Sequence, residues 1–193
     1  MARTREFDED VALDRALEVF WSAGYKAASL EQLLEATGLS RSSLYQTFGN
    51  KRRLLMECLR FYANKLWTGP IAPLVRDDAG RAQIEAVLKG AIDRAGCADG
   101  QRGCFINNCL AEIAPHDPVI LRAVRTVMAR LEGHMGRAVA NGQADGTIRS
   151  RETPEALAHF LVNTLSGLNL AAKSRPPPER LENIVRVALR ALD

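Results

Sequence analysis

SLEQLLEATGLSRSSLYQTFGNK, residues 29–51, is the stretch whose reading decides the fold. Ser29 is placed to cap a helix, and Gln32 three residues later can reach back to complete a capping box. Leu30, Leu33 and Leu34 give that helix an apolar face. Gly38 ends it, because a tight helix-to-helix turn needs a residue that tolerates positive φ. Leu39 then fills the corner and Ser40 caps a second helix, which runs from Arg41 to Phe48. Leu44 and Phe48, four apart, form its buried side and leave Arg41, Ser42, Ser43, Tyr45, Gln46 and Thr47 pointing elsewhere. Two short helices about a glycine turn, the second unusually polar, are the layout of a DNA-reading helix-turn-helix. A helix this short, with so little apolar surface, must be held by its neighbours.

The run GLSRSSLYQTFGNK follows an amphipathic helix that stops at Gly24 and Tyr25. Together they resemble the N-terminal DNA-binding domain of TetR-type bacterial transcriptional regulators, with Leu44, Tyr45, Phe48 and Lys51 as the most specific positions. The resemblance covers residues 7 to 60. Ser42 stands where many relatives carry glycine or another small residue, and Gln46 falls at a variable position, so the operator sequence stays open. The resemblance implies that the start of the second helix enters the major groove. Arg41, Ser42, Ser43 and Gln46 are then the candidates for base-edge contacts, Arg41 suited to guanine and Gln46 to adenine. Tyr45, Lys51 and the capped helix start at Ser29 are candidates for phosphate. For Tyr45 a packing aromatic with a wet hydroxyl is the alternative. Arg3 and Arg5 are candidates for a basic arm, with disorder without contact as the alternative.

A formal net charge of +3 is too small to argue for nucleic acid by itself, and the first 60 residues carry as many acids as bases. Distribution says more. Arg41, Lys51, Arg52, Arg53 and Arg60 meet only Glu57 within residues 41–60, which predicts a local positive patch. With 193 residues, 47% of them hydrophobic, the chain can bury a substantial core. No apolar run approaches the roughly 20 residues of a membrane span, and MARTREFDED lacks the apolar segment of a secretory signal. The expectation is a cytoplasmic protein with no membrane contact.

Helical spacing recurs along the rest of the chain, and no alternating strand pattern interrupts it. Candidate helices cover residues 8–23, 51–67, 79–95, 103–114, 118–141, 153–172 and 178–192. Gly69, Pro70 and Pro73 form one break, Pro115 and Pro118 a second, Asn141-Gly142 with Asp145-Gly146 a third, and Pro176 to Pro178 a fourth. The expected fold is all-α, about nine helices in total: a three-helix DNA-binding head over residues 1–50 and a larger helical domain over residues 51–193. The last two helices carry apolar stripes, and Gly167 beside Ser166 permits close approach. Two copies can therefore pair as a four-helix bundle, or both stripes serve the chain's own core. The resemblance implies a homodimer through residues 153–192, which sets two reading helices about 34 Å or a larger repeat apart on a palindromic double-stranded DNA operator.

The resemblance also implies a small-molecule effector, of unknown identity, bound in the C-terminal domain so as to release DNA. Trp67, Phe105, Asn108, Cys109, Met128, Leu131, His134, Met135 and Asn169 are the candidate contacts, as aromatic, sulfur-bearing or polar interruptions of apolar helices. A histidine at such a position as His134 is more often a satisfied core or edge residue than a ligand contact. Of Cys58, Cys97, Cys104 and Cys109, Cys104 is the best candidate for a reactive thiolate, because it lies near a helix start and beside Arg102. A thiol-based redox or electrophile sensor is therefore one alternative, and GCFINNCLAEIAPHDP resembles a segment of one TetR subgroup with such members. No metal is expected, since the histidines and cysteines lack ligand spacing, and no cofactor. Phosphate-loop, dinucleotide, zinc-protease and nucleophile-elbow motifs are absent, so no enzyme is expected. A helical enzyme with scattered catalytic groups, or an architectural DNA-binding protein without an effector, is the competing class.

Overall fold

A computed structural model of the chain describes residues 8–97 and 100–193, so Arg3 and Arg5 lie outside the described residues. These residues form ten α-helices and no strand: α1 Glu9–Ala23, α2 Leu30–Thr37, α3 Arg41–Phe48, α4 Lys51–Thr68, α5 Ala72–Val75, α6 Arg81–Ala95, α7 Phe105–Glu112, α8 Pro118–Ala144, α9 Pro154–Ala172 and α10 Pro178–Arg190. The all-α expectation holds. The extra helix is α5, four residues long with Pro73 in its first turn, inside a stretch read only as a break.

The helices divide into two compact units. One comprises the described residues up to Asn64 together with Asn108–Val124; the other comprises Lys65–Asn107 and Arg125–Asp193. In the first unit α1 begins at Asp8, whose carboxylate accepts from the backbone N–H of Asp10 and Val11. Glu9 and Asp10 add favourable charge at the positive end of the helix dipole. Ala12, Ala16, Leu17 and Phe20 are its buried stripe. Gly24, at φ 81°, stops it by donating its N–H to the Phe20 carbonyl at 2.9 Å. Leu33 and Leu44 are fully buried, and Leu39 fills the corner between α2 and α3 as its position predicted.

In the second unit Leu74, Ile84, Leu88, Met135, Leu161 and Leu192 belong to one core, each fully buried. The helix expected over residues 118–141 runs on to Ala144, straight through Asn141-Gly142. Asn141 is used as a tie there, since its Nδ2 donates to the carbonyls of Asp77 and Ala79, both at 2.9 Å. Gly142 sits where an added Cβ would lie 2.7 Å from Ile148, so close packing explains that glycine. The chain turns at Asp145-Gly146 instead, with Gly146 at φ 78° and Thr147 N–H on the Asp145 carboxylate at 2.9 Å. On α9, Leu157, Leu161, Leu165 and Leu168 are buried in the chain's own core, but Phe160 points outward and is 44% exposed. No described helix is long and apolar enough to cross a membrane.

Candidate DNA-reading surface

Helix α3 is positioned by local chemistry. Upstream, Ser29 Oγ accepts from the N–H of Gln32 at 3.1 Å, while Gln32 Oε1 accepts from the N–H of Ser29 at 2.8 Å. This reciprocal box satisfies two helix-end donors at once. Gly38, at φ 70°, closes α2 with its N–H on the Leu34 carbonyl. Thr37, a buried polar residue, turns its hydroxyl onto the Leu33 carbonyl at 2.7 Å. Ser40 Oγ then accepts from the N–H of Ser43 at 3.1 Å to start α3. Leu44 at 0% exposure and Phe48 at 6% are its inner face.

What α3 presents outward is polar. Arg41, Ser42, Tyr45 and Gln46 are exposed and Ser43 is half-buried. The Ser42 and Ser43 hydroxyls each lie 2.9 Å from Ser40 Oγ. Three hydroxyls thus share the helix start, with Ser42 and Ser43 bound to the cap residue Ser40. Arg41 Nη2 stands 3.9 Å from Glu31 on α2, with both side chains mostly in solvent. A pair so exposed contributes little and leaves the guanidinium available.

The positive patch read from residues 41–60 is partly neutralised by carboxylates remote in sequence. Arg52 Nε and Nη2 both donate to Asp117, Nη2 at 2.7 Å. Asp117 Oδ1 also accepts from the N–H of Val119 at 3.0 Å and of Ile120 at 3.2 Å, capping α8. The Arg52 guanidinium, helped by those two amides, holds the Asp117 carboxyl down to about 2. Arg60 pairs with Glu57. Lys51 places its ammonium 4.7 Å over the Tyr25 ring. Burial lowers the Lys51 pKa while Glu112 opposes it.

Glu112, at the end of α7, has a larger structural task. Its carboxylate accepts from the N–H of Tyr25 at 2.9 Å and of Lys26 at 2.8 Å. Gly24 is needed beside it, for a Cβ there would come within 3.0 Å of Glu112 Oε2 at a φ of +81°. The Tyr25 hydroxyl has its pKa raised by burial first and then by Asp117, with Arg52 acting the other way. Sequence reading missed Glu112 and Asp117. For Asp117 a signal was available, an aspartate directly before a first-turn proline. For Glu112 none was.

The effector candidates fall in several places. Trp67, Phe105, Cys109 and Met135 are buried, and Asn108 is half-buried. Met128 and Leu131 pack against the same core as Trp67 and Met135. Asn169 spends its Nδ2 on the Leu165 carbonyl of its own helix at 2.9 Å. The His134 ring lies 5.7 Å from that of Trp67. Cys104 is half-buried just ahead of α7, Cys97 is exposed, and burial pushes the Cys58 thiol far up.

Comparison with known proteins agrees with this architecture at both ends of the chain. A family model described as bacterial regulatory proteins, tetR family, matches residues 12–58, and one described as tetracyclin repressor-like, C-terminal domain, matches residues 80–188. The HTH-type transcriptional repressor ComR of Escherichia coli (strain K12) is 32% identical over 192 residues, covering 97% of this chain and 90% of that protein. The HTH-type transcriptional regulator YezE of Bacillus subtilis (strain 168) is 29% identical over 194 residues and covers 100% of both chains. Among solved structures, a cysteine mutant of the TetR family transcriptional regulator CifR, complexed with 26bp double-strand operator DNA, superposes with a TM-score of 0.86. It is 32% identical and covers 99% of this chain and 100% of that one.

Proposed function

The chain belongs to the TetR family of bacterial transcriptional regulators, and on that premise we propose that it is a cytoplasmic repressor. It binds a palindromic double-stranded DNA operator as a homodimer and is released by a small-molecule effector. The family is one of regulators and not of enzymes. Residues 1–50 read DNA in this proposal, and residues 51–193 sense the effector and dimerise.

The observation that carries the reading is α3: a helix capped by Ser40, anchored by Leu44 and Phe48, with Arg41, Ser42, Tyr45 and Gln46 exposed. Arg41 and Gln46 have the donor and acceptor geometry for guanine and adenine edges, each good pair being worth about 1–3 kcal/mol of discrimination. Ser42 and Ser43 join them as base-edge candidates, while Tyr45, Lys51 and the capped start of α2 at Ser29 hold phosphate and set register in this proposal. CifR in complex with operator DNA and the name of ComR as a repressor support the same mechanism. For dimerisation the support is an exposed apolar set on the two last helices. Phe160 and Leu170 of α9 and Val187 of α10 are 44%, 68% and 56% exposed, and Gly167 has open space around it. Large side chains left in water gain most by meeting a second copy. For an effector, Trp67, Met128, Leu131 and His134 supply aromatic and apolar surface in the second unit, and release requires the ligand to favour one conformation.

Selection of bound fragments from the source genome, followed by footprinting, tests this reading. One discrete palindrome is expected, and uniform coating of DNA would contradict it. Lys51→Ala is expected to weaken all sequences alike and to lower the salt slope by about one phosphate contact.

A second reading, a thiol sensor working through the same DNA-binding mechanism, is supported by Cys104, which is half-buried and immediately precedes α7. Alkylation with N-ethylmaleimide is then expected to abolish operator binding. Unchanged binding with Cys104 confirmed modified removes this reading.

A further inference from the structure

Two buried nitrogen donors in the second unit have no acceptor among the described residues. Arg137 Nη2 lies 2.7 Å from His134 Nδ1 and donates to the Val75 carbonyl at 3.4 Å. Arginine has no lone pair to offer, so Nδ1 is the acceptor in that contact and the neutral ring carries its proton on Nε2. That state is the stable one, because burial first and then Arg137 and Arg130 lower the His134 pKa, with Asp77 opposing them. His134 Nε2 and Arg137 Nε are both buried and without a hydrogen-bond partner. Above them the Arg130 guanidinium lies 4.4 Å over the Trp67 ring, and the Trp67 and His134 rings meet at 52°. The cluster holds two guanidiniums and an imidazole donor beside an indole. A buried donor left without a partner is destabilising, and a fold that keeps two of them in one cluster is suited to an acceptor from outside the chain.

We propose that Arg137, oriented by His134 and flanked by Arg130 and Trp67, receives the carboxylate of a small organic acid. Arg137 Nε offers a charged, unpaired donor to a carboxylate oxygen, His134 Nε2 leaves a second donor on the side of its ring away from Arg137, and the exposed Arg130 adds further positive charge. The adjoining indole favours a ligand with a carbon body over an inorganic ion. The assignment names the chemical class of the effector proposed above. It rests on that reading only for the consequence on DNA, since acid binding needs no operator.

The test is calorimetric titration of the full chain with benzoate and with hexanoate, beside benzamide, hexanamide and sulfate. One of the acids is expected to bind about tenfold or more tightly than its amide, the worth of one charged hydrogen bond. Arg137→Met is expected to remove that preference, and His134→Phe, which keeps a ring beside Trp67, to weaken acid binding several-fold. Far-ultraviolet circular dichroism and operator binding check that both variants fold. Equal binding of acid and amide, acid binding unchanged in both variants, sulfate binding as tight as the acids, or no heat from either acid would each overturn the site. Acid binding that leaves operator affinity unaltered supports the site and counts against effector release. Operator release by some other ligand, in a chain that binds no acid, does the reverse.

Discussion

Two half-buried polar clusters in this protein contrast in how completely they are satisfied. In the first unit, both orphan amides of the Gly24 corner end on Glu112, and Asp117 accepts from Arg52 and from two amides of α8. In the second unit, Arg137 and His134 satisfy each other once and leave Nε and Nε2 without a partner. A saturated cluster fixes geometry, because any displacement breaks bonds that nothing replaces. An unsaturated one has donors in reserve. The first suits a part that must hold a reading helix at one angle, and the second suits a part that responds to a ligand.

Glu112→Ala strikes the saturated cluster hardest. It removes the acceptor of two backbone amides, one of them half-buried, and is expected to cost about 2–3 kcal/mol by urea denaturation. Asp117→Ala follows at about 2 kcal/mol, losing the α8 cap and the partner of Arg52. The same carboxylate has an acid signature. Its folded pKa of about 2 lies below the ordinary value of 3.8. Its contribution is therefore complete above about pH 4 and fades as pH falls towards 2, and Asp117→Ala should flatten the wild-type stability profile in that window. Gly24→Ala is expected to cost about 1–2 kcal/mol, from a side chain at positive φ pressed against Glu112. His134→Phe should move stability by less than about 1 kcal/mol, because it deletes an orphaned donor together with one hydrogen bond. A loss as large as that of Glu112→Ala would erase the contrast between the clusters.

Much of the reading surface was legible from residues 29–51. The Ser29–Gln32 box, the Gly38 turn, the Ser40 cap and the Leu44–Phe48 inner face all depend on neighbours within about four positions, where helix geometry is fixed in advance. Phe160 shows where periodicity fails. It shares α9 with Leu157 and Leu161 at helical spacing, yet it is 44% exposed while they are buried. Periodicity reports that a helix has an apolar side and not what covers it. The patch of Arg41, Lys51, Arg52, Arg53 and Arg60 was over-read for a related reason. Charge counted along the chain omits Asp117, which stands 65 residues from Arg52.

From the residue string alone come the all-helical class, the helix-turn-helix and its family, since capping, turning and apolar spacing are short-range rules that each residue carries with it. Only tertiary structure decided that Glu112 and Asp117 secure the head, across separations of 87 and 65 residues. It alone brought Trp67, Val75 and Arg137 to one place. Contacts of that range depend on how helices pack, and packing is set by the summed burial of many side chains, so no single stretch of sequence encodes it.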